Sequence, residues 1–388
     1  MRCSKQLRTF NTRLAFTFLC LVAITLAPLA GIEIPAAGSS RLALSPLEIS
    51  QVASSNVVYV LATTGCAQPS CLRLIRTTVS ATSFTPANLP PIRAVRGQLA
   101  GTLDSIQFAN VHDGYAIVGE TGPTSLYVTL NDARTWRKVI IEKGARVLGL
   151  TTTATGLYAI TGICSSSGVS CHGYRIARSS LSATSWSSSP MPIGRSSRTG
   201  LWGFPYVPAA YGNEVWISEQ PPGAAVIFYS RDGGRTFRKL TTPKLGSVNA
   251  CGLIPESSNA LWAVCPTGMQ ESFFFSSDAG SSWTQVPQQQ FFGTGGGYFD
   301  PVSTTLAYLD YGATRPLFRI STSDPVATKI GVLSCSKINS SVNGLIFANT
   351  HDGLALCLPG DDPAAGRLER TTDGGRTWTD RSPVSSQL

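Results

Sequence analysis

TTDGGRTW, residues 371–378, recurs along the chain, and its spacing decides the fold. Three close copies precede it: TLNDARTW at 129–136, SRDGGRTF at 230–237 and SSDAGSSW at 276–283. The shared pattern is Ser/Thr, any residue, Asp, any, Gly, any, Thr/Ser, aromatic. Asn131 and Ala133 stand at the Asp and Gly places of the first copy. Weaker copies fill the gaps: TTVSATSF ending at Phe84, SSLSATSW ending at Trp186, and TSDPVATK, which ends at Lys329 without an aromatic. The seven ends (84, 136, 186, 237, 283, 329 and 378) lie on average 49 residues apart. A four-stranded propeller blade needs about 40–50 residues.

Each repeat reads as one blade. In the last, LIFAN (345–349) is an apolar run, HDG (351–353) a turn, and LALCL a second run. A third run leads into the motif, and its aromatic opens a fourth. Four short strands with turn residues between them make an antiparallel sheet. Such a sheet cannot bury both faces alone, so seven should pack radially. The expected fold is all-β: a single seven-bladed β-propeller of four-stranded antiparallel blades over residues 46–388. Phe84, Trp136, Trp186, Phe237, Trp283 and Trp378 should sit at matching places between sheets.

The motif has a structural reading. It is a tight turn between strands three and four, whose Asp accepts hydrogen bonds from nearby backbone N–H groups. Gly234, Gly280 and Gly375 supply backbone angles that other residues resist. Each loop offers only one or two acids, whereas calcium takes six to eight oxygens, so no metal or other cofactor is expected.

Residues 1–30 carry Arg2, Lys5, Arg8 and Arg13 ahead of an apolar run from Leu14 to Ala30. This reads as a signal peptide or an uncleaved N-terminal membrane anchor, followed by a linker over 31–45. The body is expected to be exported, secreted or held in the cell envelope, with membrane contact only through that segment. The formal charge of +9 falls to +5 without the first thirty residues, and no basic run tracks a phosphate backbone. A nucleic-acid partner is therefore not expected.

Outside the leader eight cysteines remain, an even set that reads as disulfides in an exported chain. Cys66–Cys71 and Cys164–Cys171 should each staple a hairpin loop. Cys251–Cys265 and Cys335–Cys357 are the remaining neighbours.

The repeated segments resemble Asp-box, or BNR, repeats over most of residues 46–380. That superfamily consists of β-propellers that include sialidases, some plant-polysaccharide hydrolases, sortilin-type receptors and photosystem II assembly-factor-like proteins. FANVHDGYAIVG and FANTHDGLALCL are most similar to the last group. The resemblance implies the fold and leaves the activity open.

The catalytic readings are poor in residues. The nearest approach to a sialidase's Phe/Tyr-Arg-Ile-Pro segment is Phe318-Arg319-Ile320-Ser321, which lacks the Pro and falls where a third strand should run. A polysaccharide hydrolase needs two carboxylates facing across a cleft. The candidates Asp104, Glu120, Glu214, Glu219, Asp300 and Asp310 are scattered. His112 and His351 hold equivalent places in two HDG turns, so they read as repeat features. Two segments depart from the repeat, at 195–211 and 288–298. Within the first, Arg195, Arg198, Trp202 and Tyr206 are the candidate binding residues, since aromatic and Arg side chains on loops commonly anchor partners. The expected function is a monomeric, non-catalytic binding or assembly module that meets a protein or glycan at one face of the ring. A glycoside hydrolase is the alternative.

Overall fold

The structure, a computed structural model, describes residues 45–52, 56–64, 71–79, 83–92, 105–119, 124–165, 171–192, 208–219, 226–240, 251–266, 271–286, 298–310, 316–323, 327–333, 340–359 and 366–383. The leader at 1–30, Cys66, Cys335, Arg195, Arg198, Trp202 and Tyr206 lie outside these residues, as does the linker except its last residue.

Seven four-stranded antiparallel sheets follow one another along the chain, and no helix occurs among the described residues. Blade 1 comprises Ser45–Gln51, Val57–Thr63, Leu72–Thr78 and Thr85–Ala87. Blade 2 comprises Ser105–Phe108, Gly114–Val118, Ser125–Thr129 and Arg137–Val139. Blade 3 comprises Arg146–Thr152, Gly156–Cys164, Cys171–Ser180 and Ser187–Pro190. Blade 4 comprises Ala209–Tyr211, Glu214–Glu219, Val226–Ser230 and Arg238–Lys239. Blade 5 comprises Gly252–Pro255, Leu261–Pro266, Glu271–Ser276 and Thr284–Gln285. Blade 6 comprises Tyr298–Ser303, Leu306–Asp310, Pro316–Ser321 and Ala327–Val332. Blade 7 comprises Ser340–Phe347, Gly353–Pro359, Arg367–Thr371 and Thr379–Asp380. First strands of neighbouring blades touch at six of the seven junctions, which places them at the axis.

The core lies between blades. Seven apolar clusters each join one sheet to the next, and one of them joins blade 7 to blade 1 through Ile346, Leu354 and Leu368 against Val58, Val60 and Ile75. That contact closes the ring through side chains, with every blade built from consecutive strands. The aromatic that ends each turn motif is the wedge. Trp136 packs with Tyr59 and Leu74 of blade 1, Trp283 with Trp216 and Leu240 of blade 4, and Trp378 with Tyr308 and Leu317 of blade 6. Phe84, Trp186 and Phe237 likewise reach the preceding blade. Where a first strand ends in Phe-Ala-Asn, its ring is sandwiched. Phe108 stacks on Tyr59 at 3.6 Å and meets Trp136 edge-on, and Phe347 does the same with Tyr308, at 3.7 Å, and Trp378.

The eight-residue turns work as local hydrogen bonding demands. Asp232 accepts from the backbone N–H groups of Arg235 and Thr236, both at 2.9 Å, and from the hydroxyls of Ser230 and Thr236 at 2.7 Å. Asp278 and Asp373 make the same contacts with hydroxyl partners Ser276 and Ser282, and Thr371 and Thr377. Asn131 keeps the acceptor and turns its amide toward the hydroxyl of Thr135 at 2.9 Å. Burial opposes ionisation of these aspartates. The hydroxyl and N–H donors outweigh it, holding Asp373 down at about 2 and Asp232 and Asp278 below the usual carboxylate range. Glycine at the fifth place answers two demands: Gly375 has φ +88°, and a Cβ there would lie 2.2 Å from Leu317 of blade 6.

One expected position is corrected. Lys329 does not stand at the wedge place of blade 6. In every blade the residue after the wedge pairs with a third-strand residue, which in turn faces the second residue of a strand-two pair: Thr284 with Phe275 and Trp262 in blade 5, Thr328 with Arg319 and Tyr308 in blade 6. Ala327, the residue before Thr328, therefore occupies the wedge place of blade 6. Lys329 lies two residues further on, exposed in the fourth strand opposite Phe318. The Thr-Ser-Asp at 322–324 resembles a motif start, but the strand register overrides it.

Two disulfides are complete among the described residues. Cys164–Cys171, with Cα atoms 3.9 Å apart, closes the hairpin of blade 3, as expected. Cys251–Cys265, at 4.2 Å, crosses from the first to the second strand of blade 5 and is fully buried. Cys71 and Cys357 are also disulfide-bonded, with partners outside the described residues.

Candidate functional site at the junction of blades 5 and 6

The second strand of six blades carries a Tyr or Trp at one register position, and in five of them its polar tip reaches a backbone carbonyl of the next blade. Tyr59 donates to Val111, Tyr115 to Leu181, Tyr158 to Gly212 and Tyr308 to Thr350, at 2.6–3.3 Å. Trp216 donates its Nε1–H to Ala279 at 2.9 Å. These bonds satisfy a polar atom inside an apolar interface, which explains why Tyr and Trp stand there in place of Phe. Trp262 is the exception. It is buried, and its Nε1 finds no acceptor among the described residues.

The same junction is the one with an alanine wedge. A cleft of about 240 Å³ opens there, floored by Trp262, Phe275 and Val286 and rimmed by hydroxyl side chains. Its floor is equivalent to the blade 4 surface, Trp216, Tyr229 and Leu240, on which Trp283 packs. At blade 4 the ring of Tyr229 is also covered by two guanidinium groups, Arg231 at 5.7 Å and Arg238 at 5.2 Å. Blade 5 has Ser277 and Thr284 at those places, both lining the cleft. Blades 1 and 7 likewise carry Thr78 and Thr85, and Thr372 and Thr379, at those places, so the exchange of an aromatic for Ala327 is what sets this junction apart.

A second feature lies nearby at the axis. Asp300, on the first strand of blade 6, accepts from the N–H of Phe347 at 2.6 Å. Burial pushes its carboxyl well above the usual range, and the charge of Glu256, in the turn after the first strand of blade 5, pushes it further. Burial raises Glu256 itself to about 7. Asp300 is among the carboxylates weighed from sequence, but Glu256 is not. It follows an ordinary Pro, and only the packing of blade 5 on blade 6 gives it an acidic neighbour.

The sign of this effect is testable. Glu256 binds its proton more tightly in the folded chain than in the unfolded one, where glutamate titrates near ~4.3. Folding stability therefore falls as pH rises from about 4 to about 7, and the loss is complete above 7. Glu256→Gln should raise stability by about 1–2 kcal/mol at pH 8 and leave it unchanged at pH 4, as measured by denaturant unfolding at the two pH values.

Among the other sequence candidates, Glu214 accepts from the Tyr229 hydroxyl at 3.4 Å, and Glu219 and Asp310 end the second strands of blades 4 and 6. Asp104 and Glu120 lie outside the described residues. His112 and His351 belong to turns capped by Asn110 and Asn349, as their repeat positions imply. Phe318–Ser321 lies on the third strand of blade 6. No cluster of metal-ligating side chains occurs among the described residues.

No protein-family model matches the sequence, and no curated protein matches it. Solved propellers do match in structure. YCF48 bound to D1 peptide aligns with a TM-score of 0.51 and 15% identity over 75% of this chain and 82% of that one. The propeller domain of the Trilobed protease from Pyrococcus furiosus aligns at 0.58 and 8% over 90% and 99%. An ancestral GH74 enzyme aligns at 0.54 and 11% over 88% and 47%. Identities this low carry the fold alone: this chain is a seven-bladed β-propeller.

Proposed function

We propose that the chain is an exported Asp-box propeller that binds a protein partner through the face bearing its eight-residue turns and turns nothing over. The observation that carries this reading is the cleft between blades 5 and 6, in a ring whose other junctions are filled by their own aromatics. Its ~240 Å³ suits one side chain better than a sugar chain. The turn hydrogen bonds support the Asp-box reading, because each aspartate is held by its own loop. The buried and hairpin disulfides are compatible with export, the expectation raised by the leader at 1–30. YCF48, a structural neighbour, has been captured with a peptide, so a ring of this fold can present a peptide-binding surface. Arg195, Arg198, Trp202 and Tyr206 are proposed as a separate contact, because the connection from strand four of blade 3 to strand one of blade 4 joins strand ends on the opposite face from the eight-residue turns.

A glycoside hydrolase is the second reading, favoured by the raised carboxyls of Glu256 and Asp300, since such enzymes keep one acid protonated near neutrality. One pair of experiments separates the two. Selection of displayed random peptides on the purified chain should give convergent binders, and incubation with sialosides and plant polysaccharides should release no sugar. Turnover that Asp300→Asn abolishes would establish the hydrolase instead.

A further inference from the structure

We infer that the cleft between blades 5 and 6 is a socket for one aromatic side chain of the peptide partner, seated where the ring's own wedge stands at the other junctions. The inference rests on the protein-binding reading and names what that surface recognises. At the junction of blades 4 and 5 the occupant is known: Trp283 lies against Trp216, Tyr229 and Leu240. The equivalent floor one junction on, Trp262, Phe275 and Val286, has the same apolar character but faces Ala327, a methyl in place of an indole. The cleft of ~240 Å³ has room for an indole or a phenol, with an apolar floor and a rim of hydroxyl side chains.

The rim fixes the chemical class. Ser277, Thr284 and Ser323 offer hydroxyls suited to the backbone amides on either side of a seated side chain, and no carboxylate or cation lines the cleft among the described residues. The guest we infer is a peptide segment bearing Trp, Tyr or Phe.

The test uses the full chain and the probe Ac-Gly-(5-fluoro-Trp)-Gly-NH2, followed by 19F NMR line broadening. The probe should bind and be displaced by unlabelled Ac-Gly-Trp-Gly-NH2, but not by Ac-Gly-Ala-Gly-NH2 or a cello-oligosaccharide. Three variants close the socket: Ala327→Trp from within, the pair Ser277→Arg with Thr284→Arg as at blade 4, and Ser323→Trp at the rim. Ser277, Thr284 and Ser323 are exposed, so the last two variants keep the fold even if Ala327→Trp does not. Each folded variant should weaken the probe at least tenfold. Absence of probe binding to the native chain, undiminished binding to the rim variants, or displacement by the oligosaccharide would overturn the socket. Display-selected peptides that still bind the rim variants would leave the binding function standing and refute the socket alone. A chain that selects no peptide at all refutes the binding function.

Discussion

Replacing Trp216 with alanine should destabilise the chain by about 3–5 kcal/mol, the range for truncating a fully buried Trp. Its side chain is wholly buried between blades 4 and 5, stacked near Tyr229 and in the cluster that receives Trp283. Denaturant unfolding measures the loss. The phenylalanine series isolates the polar part. Trp216→Phe removes the donor to Ala279 and leaves that carbonyl unpaired, adding about 1–3 kcal/mol to the modest cost of the smaller ring. Trp262→Phe, the equivalent change one blade on, removes an N–H that has no acceptor among the described residues. It should cost about 1 kcal/mol or less, because relief of the unpaired donor offsets lost packing. Equal costs for the two Trp→Phe changes would contradict the pairing of tips with carbonyls.

The second large effect is expected at Cys251–Cys265. The bridge closes a loop with a sequence separation of 14, worth about 3 kcal/mol in the chain-entropy model. Both sulfurs are fully buried in the cluster with Ala263 and Phe274, so the double alanine variant also leaves a small void. Together these predict a loss of about 3–5 kcal/mol for Cys251→Ala with Cys265→Ala. The shorter Cys164–Cys171 loop, at the half-open end of a hairpin, should cost about 2 kcal/mol. Unfolding of the two double variants beside the native chain gives both values. The reverse ranking would mean that the blade 5 bridge is strained in the native state.

The blade count, the strand order and the places of six wedges were legible because each rests on local chemistry repeated at a fixed interval. A Ser/Thr-Asp turn needs its own eight residues and nothing else, so Asp232, Asp278 and Asp373 announce themselves. Phe108 and Phe347 likewise share a motif that packs in one way. The register of blade 6 was not legible. Thr322, Ser323 and Asp324 imitate the motif, while the feature that sets the turn is the pairing of Tyr308 with Arg319 and Thr328, a property of three strands. The cleft was hidden for the same reason: its lining comes from Trp262, Phe275 and Val286 of blade 5 together with Ser321, Thr322 and Ser323 of blade 6. Glu256 and Asp300 lie 44 positions apart in sequence and interact because blade 5 packs beside blade 6. Side chains that act alone can be read from sequence, and those that act across a blade boundary need the ring.

If the junction of blades 5 and 6 is the recognition site because the ring leaves its own wedge out there, a crystal structure of the full chain bound to a display-selected peptide should show it. An aromatic side chain of the peptide should lodge between Phe275 and Ser323, over Val286, with the peptide backbone against the Ser277 and Thr284 hydroxyls. A peptide seated at the axis beside Glu256 and Asp300, or on the opposite face with the cleft unchanged, would contradict it.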